Sequence, residues 1–209
     1  MDVYFDESRH NKLNETGARN HRWMRGAKDE SIQYYNFLEH PELIRKVLED
    51  FRPYDQYAAI QNFYNLIEWL NGSESLLETN DCLLRLQESK TEFMPDKREA
   101  DGRMMVFFRD YMLNLQKQNA DFMMNHLGNQ LQTRDLDFVP GCVGFAYCPT
   151  LFNSLPEPYD KAPSGVLTVY FWAWGDTDDE VFENLDRVFN NLTTAFKATN
   201  EILKSAFNK

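Results

Sequence analysis

The sequence predicts an α+β fold: a helix-dominated single domain with a small antiparallel sheet of two to three strands, covered by a long C-terminal helix. Three observations carry this reading. Residues 166–174 form a β-branched and aromatic run, Val-Leu-Thr-Val-Tyr-Phe-Trp-Ala-Trp, as strands do. The acidic turn 175–180 follows it and leads into a helical pattern that reaches Phe207. Upstream, from Ser31 onward, apolar residues recur mostly at spacings of three and four, the period of a helix with one buried face.

The C-terminal helix has the clearest signature. Thr177-Asp-Asp-Glu180 reads as a capping box, in which the Thr177 hydroxyl accepts from the Glu180 amide and the Glu180 carboxylate reaches back to the Thr177 amide. Asp178 and Asp179 suit the positive end of the helix dipole. Phe182, Leu185, Phe189, Leu192, Phe196, Thr199 and Leu203 then alternate at three and four, flanked by Val181, Val188, Ala195 and Ile202. Three apolar positions in seven make a face wide enough for a core and too wide for a two-stranded coiled-coil seam.

The remaining elements follow in order. Residues 2–6 make a short strand, and 1–30 as a whole form an irregular, basic N-terminal arm. Residues 31–209 form the α+β domain, helical over 31–132, with the small sheet and the C-terminal helix in 137–207. Within the helical part, Ile32, Tyr35 and Leu38 share a face. Pro41 stands at a helix first turn, and a run over Tyr57, Ile60, Phe63, Ile67 and Leu70 stops at Asn71-Gly72. A weaker helix is expected at 76–87. The longest is expected from about Asp96 to Leu131, on a Met-rich face with Met104, Met105, Met112 and Met123. Residues 138–148 read as a strand, and four of the eight prolines fall in 149–163, which excludes regular structure there. The sheet pairs 138–148 with 166–174, joined by 2–6. An all-α chain with an incidental hairpin is the second possibility.

Composition bounds the function classes. With 209 residues, 43% of them hydrophobic, the chain can bury a substantial core. The net charge is −11, which repels nucleic acid and anionic membranes. Residues 9–28 hold six basic residues against Glu15, leaving a remainder with 16 basic and 32 acidic residues. Nucleic acid is therefore disfavoured for the body and conceivable only through the arm. Cys82, Cys142 and Cys148 form an odd set without a CxxC pair, fitting free thiols in a reducing cytoplasm. No apolar run has the length of a membrane span.

Motifs for chemistry are sparse. The sequence contains no GxSxG elbow, phosphate-binding GxxxxGK[ST] or GxGxxG motif. The histidines lack metal-ligand spacing, so no metal or cofactor is expected. The acidic turn lacks the glycine and later glutamate of a calcium loop. The candidates for catalysis are Asp6, Glu7 and His10, behind the first strand. They resemble the strand-then-acid opening of RNase H-like proteins, which implies a metal-dependent nuclease. No later strand supplies further acids, however, and the central body reads helical where that fold has a sheet. Trp172 and Trp174 share one strand face with Tyr170 beside them, as core or, where the C-terminal helix does not cover them, as a partner-anchoring patch.

Three function classes remain, and whether the chain is an enzyme stays open at this level. The first is a cytoplasmic acidic protein-binding module of the inhibitor or immunity type, working by electrostatic complementarity. Its candidate partner-binding residues are Arg19, Arg22, Trp23 and Arg25 in the arm and Asp176, Asp178 and Asp179 in the turn. The second is an enzyme without a short motif, and the third a small-molecule sensor with an apolar pocket beside the Met-rich helix.

Overall fold

The computed structural model describes residues 1–6, 13–17, 20–23, 33–89, 96–153 and 157–207; of 14–17, 20–23, 33–35 and Asp50 it describes the backbone alone. The elements are β1 (Asp2–Phe5), β2 (Asn14–Gly17), β3 (Asn20–Trp23), β4 (Gln33–Asn36), α1 (Glu42–Leu48), α2 (Ala58–Asn71), β5 (Leu77–Glu88), β6 (Arg98–Phe108), α3 (Tyr111–Asn114), α4 (Lys117–Gln132), β7 (Gly141–Asn153), β8 (Pro163–Gly175) and α5 (Asp178–Phe207). Two 3₁₀ turns, Glu49–Phe51 and Tyr54–Gln56, join α1 to α2.

The expectation of a small antiparallel sheet in a helix-dominated domain is overturned. The sheet runs β1-β7-β8-β6-β5 across five strands, with β2 also pairing to β7, and it is mixed. β1 and β2 lie parallel to β7, whereas β7-β8, β8-β6 and β6-β5 are antiparallel. Two of these strands replace predicted helices: β5 takes 77–88, and β6 takes the start of the supposed helix 96–131, which survives only as α3 and α4. Residues 33–36, also read as helical, form β4, paired with β3 in a separate ribbon.

The cause is visible in β6. Ala100, Met104, Val106 and Phe108 are buried in the main core, while Met105 and Phe107 pack in a second cluster on the opposite side. Apolar side chains on both faces erase the alternation that marks a half-buried strand. The doublets Met104-Met105 and Phe107-Phe108 instead imitate helical spacing. In β5 the register shifts between Thr79 and Cys82, and such an irregularity breaks the period of two. The Met-rich helix therefore does not exist as a unit, since Met104 and Met105 lie on β6 and Met123 on α4.

The long helices all stand on one face of the sheet. Val169, Phe171 and Ala173 of β8 point into the main core with Phe63 of α2 and Leu185, Phe189 and Leu192 of α5. Phe63, Phe171 and Phe189 form an aromatic triad with centroids 4.9 to 5.6 Å apart, in the tilted and edge-on arrangements that aromatic quadrupoles favour. Gly102 makes room for it: a Cβ there would stand 2.1 Å from the Leu83 carbonyl oxygen and 2.5 Å from the Phe171 ring. α4 packs beside α5 with Met123, Leu127 and Leu131 in the same core.

Polar groups fix the joints. The Thr177 hydroxyl accepts from the Glu180 amide at 3.2 Å, and the Glu180 carboxylate accepts from the Asp176 amide at 2.8 Å, one residue earlier than the capping-box reading. Buried Asn71, at the end of α2, donates to Ile67 and Thr79 and accepts from the Thr79 amide. Buried Asn200 of α5 accepts from the Leu76 amide and donates to the Glu74 carbonyl. At the turn before β7, Asp135 has a positive φ of 51° and a bidentate ion pair with Arg187. Hydrogen bonds from Arg187, with a further one from Asn191, hold its carboxyl below the usual aspartate range.

Two outcomes follow. Gly102→Ala is expected to cost roughly 3 kcal/mol or more, because the neighbour at the clash is backbone and cannot move aside as a side chain would; equilibrium urea unfolding measures it. Asp135→Asn keeps a residue that tolerates positive φ and removes the charge. A depressed carboxyl stabilises the fold above its unfolded value, about 3.9, and that contribution is lost as pH falls through the lower folded value. The variant is therefore expected to be less stable than wild type at pH 7, with the gap closing in acid, as thermal melts at both pH values will show.

Candidate functional site

With α2, α4 and α5 on one side of the sheet, the period of two in β8 sends Thr168, Tyr170, Trp172 and Trp174 to the other. No long helix covers that side among the described residues. Tyr111 of α3 closes one end, packed with Phe107, Ala146, Cys148, Phe152 and Val166. The aromatic row that could have been core therefore lies on the face away from the C-terminal helix.

The register assembles the surroundings. Trp172 stands between Cys142 of β7 and Asp101 of β6, and Tyr170 between Gly144 and Arg103. The Tyr170 and Trp172 rings stack with centroids 5.9 Å apart. Gly144 has a packing reason for lacking a side chain, because a Cβ there would meet the Trp172 indole at 3.1 Å. On β1, Tyr4 lies opposite Gly144 and is 56% exposed. The result is an aromatic strip from two strands, the exposed Tyr4 of β1 and the half-buried Tyr170 and Trp172 of β8, spanning Gly144 of β7, with Met105 of β6 continuing it.

Charged side chains flank the strip in matched pairs. Asp101, 8% exposed, accepts from Arg85 Nε at 3.2 Å and from Gln87 at 3.1 Å, and it is also bonded to Arg85 Nη2. The hydrogen bond to Asp101 raises the Arg85 pKa further above its already high value. Glu99, 7% exposed, accepts from Trp174 Nε1 at 3.1 Å. Asp81 accepts from Arg103 Nε at 3.2 Å. Carboxylates this covered require such donors, since an unpaired buried charge costs several kcal/mol. Cys142 lies beneath the strip, its thiol pushed up to about 12 by burial, with the charges of Asp2 and Glu99 adding to the effect. Burial also raises the Cys82 thiol.

The residues proposed from sequence are dispersed. Asp6 continues the line of β1, its amide donating to the Phe145 carbonyl at 2.8 Å. Glu7, His10, Arg19 and Arg25 lie outside the described residues. Arg22 and Trp23 fall on β3, opposite Tyr34 and Gln33 of β4. Asp176, Asp178 and Asp179 sit together at the start of α5, on the other side of the sheet. There Asp178 accepts from Arg98 at 2.6 Å, Asp179 from the Tyr57 hydroxyl at 2.5 Å, and Asp176 lies 3.9 Å from Lys97. The Asp179 hydrogen bond raises the Tyr57 pKa. Among the described residues no group of three His, Cys, Asp or Glu side chains is placed to hold a metal ion. No helix there is long and apolar enough to cross a membrane.

Sequence reasoning missed Asp81, Arg85, Glu99, Asp101 and Arg103, because their segments read as helix. The signal that could have found them is the alternation Glu99, Asp101, Arg103 against Ala100, Gly102, Met104, a strand period hidden by the apolar doublets that follow.

Comparison of the chain with family models, with curated proteins and with solved structures finds no match. Inference about function therefore rests on the site alone.

The burial of Cys142 gives a direct outcome. At pH 8 a maleimide is expected to leave Cys142 unmodified in the folded protein and to label it once urea unfolds the chain, with peptide mass spectrometry reading each thiol.

Proposed function

We propose that this chain is a cytoplasmic protein-binding module of the inhibitor or immunity type, which engages a basic protein through the sheet face that the long helices leave open. One observation carries the reading: the strip of Tyr4, Tyr170 and Trp172 on that face, away from α5. Aromatic residues of this kind anchor protein interfaces, since they add large contact area at little entropic cost. The flanking pairs supply a polar rim already satisfied within the chain, so docking need not first break them.

Charge favours a basic partner. Asp2, Asp81, Glu99 and Asp101 outnumber Arg85 and Arg103 around the strip, within a chain of net charge −11. Such a field accelerates encounter with a cationic surface and weakens with salt. Inhibition would follow from occlusion of the partner and asks no chemistry of this chain. The three free thiols support the cytoplasmic placement.

Photo-cross-linking in the native host tests the proposal. A benzophenone amino acid at position 172 is expected to trap a discrete basic protein, whereas one at the exposed Asn190 on α5 traps none. Trp172→Ala should weaken binding of the trapped protein by roughly 30-fold, the scale of an interface hot spot. Equal adducts from both positions, or none from position 172, would overturn the reading.

A further inference from the structure

The opposite side of the sheet carries a second feature, at the outer edge of β5. Among the described residues β5 pairs in the sheet with β6 alone, and β3 packs beside it without joining its ladder. The first four residues, Leu77 to Asn80, are fully buried, whereas Arg85 and Glu88 are exposed and Leu86 and Gln87 half-buried. The second half of the strand is thus the more exposed, and among the described residues no strand pairs with its outer edge. Against it lies a cleft of about 280 Å³, lined by the apolar and aromatic residues Phe51, Tyr54, Ile60, Leu84, Leu86 and Phe182 and by Arg52 and Arg85. Six of its eight lining residues are apolar or aromatic.

The charges around the cleft select its occupant. Each nearby guanidinium already faces a carboxylate: Arg52 lies 3.7 Å from Asp55, Arg85 is paired with Asp101, and Arg98 lies 2.6 Å from Asp178. Asp179 is different. Its bonded partner among the described residues is the neutral Tyr57 hydroxyl, and the Tyr57 ring stacks on the cleft residue Phe182 at 4.2 Å. A carboxylate with no cationic partner among the described residues thus stands one helical turn from the cleft residue Phe182.

We infer that the outer edge of β5 is a docking site for an extended peptide segment carrying an apolar side chain with lysine or arginine two residues from it. The segment adds to β5 as a further strand, and alternate residues then point to the helix side. One of these enters the cleft against Leu84, Leu86 and Phe182, while a cation two residues along the segment, on the same side, reaches toward Asp179. This site is separate from the aromatic strip, and its occupant need not be the partner that docks there.

The test is an amide NMR titration of the full chain with two synthetic probes, a peptide with a central leucine and lysines two residues to either side of it, and the same peptide with glutamates at those positions. The lysine probe is expected to shift amides in 84–88 and 178–182 and to slow hydrogen exchange at alternate residues of β5. The glutamate probe is expected to leave them in place. Asp179→Asn, an exposed and conservative change, should weaken the lysine probe several-fold and flatten its salt dependence. Leu86→Asp should abolish binding if the variant folds, and Asp179→Asn decides the matter if it does not. Trp172→Ala should leave the titration unchanged, which separates failure of this site from failure of the strip. Equal response to both probes, shifts elsewhere, or no shift at millimolar peptide would overturn the inference.

Discussion

The packing of Phe171 against Phe63 and Phe189 is the contact on which the rest of the structure depends. It joins the central strand to both α2 and α5 at one point. It exists only because Gly102 on the neighbouring strand leaves the ring its place. Once Phe171 faces the helices, strand geometry commits Tyr170 and Trp172 to the opposite side. The core and the exposed aromatic strip are thus two consequences of one orientation, and a one-residue slip of β8 would exchange them.

A sheet covered by long helices on one side must reconcile its other side with water. This chain does so with a graded surface. At one end Phe107, Phe152 and Tyr111 form a small second core. Toward the other, the aromatic rings are half-buried and the carboxylates are each held by an arginine, a glutamine or an indole N–H. Those donors fix the acids in place, which a solvated surface acid would not require. An ordered polar rim around aromatic side chains would lose little side-chain entropy on the proposed association.

The legible parts of the sequence were those in which one face is apolar and the other polar. α5 announces itself by its cap and by its wide, regular face, and 166–174 by its aromatic and β-branched content. β5 and β6 were not legible, because both of their faces meet apolar neighbours or polar partners supplied by other strands. The irregularity between Thr79 and Cys82 removed what alternation remained. The aromatic strip was half legible: the shared face of Tyr170, Trp172 and Trp174 follows from spacing, but which side the helices take depends on Phe171 meeting Phe63, a contact between residues far apart in the chain. Arg85 and Asp101 illustrate the same limit. Their pairing exists only through the β5-β6 register, and nothing local to either residue announces it.

Arg85 ties the two surfaces together. Its side chain, 55% exposed, borders the cleft, while its guanidinium holds Asp101 beside Trp172. An acidic ligand at the β5 edge would compete for that guanidinium and leave Asp101, 11% exposed in its side chain, without its cation. The penalty for a carboxylate stranded in this way exceeds what a new surface ion pair returns. A cationic ligand meets no such conflict, because it draws on Asp179 and leaves the Arg85–Asp101 pair intact. The pair that orders the rim of one surface therefore also sets the sign of charge that the other can accept.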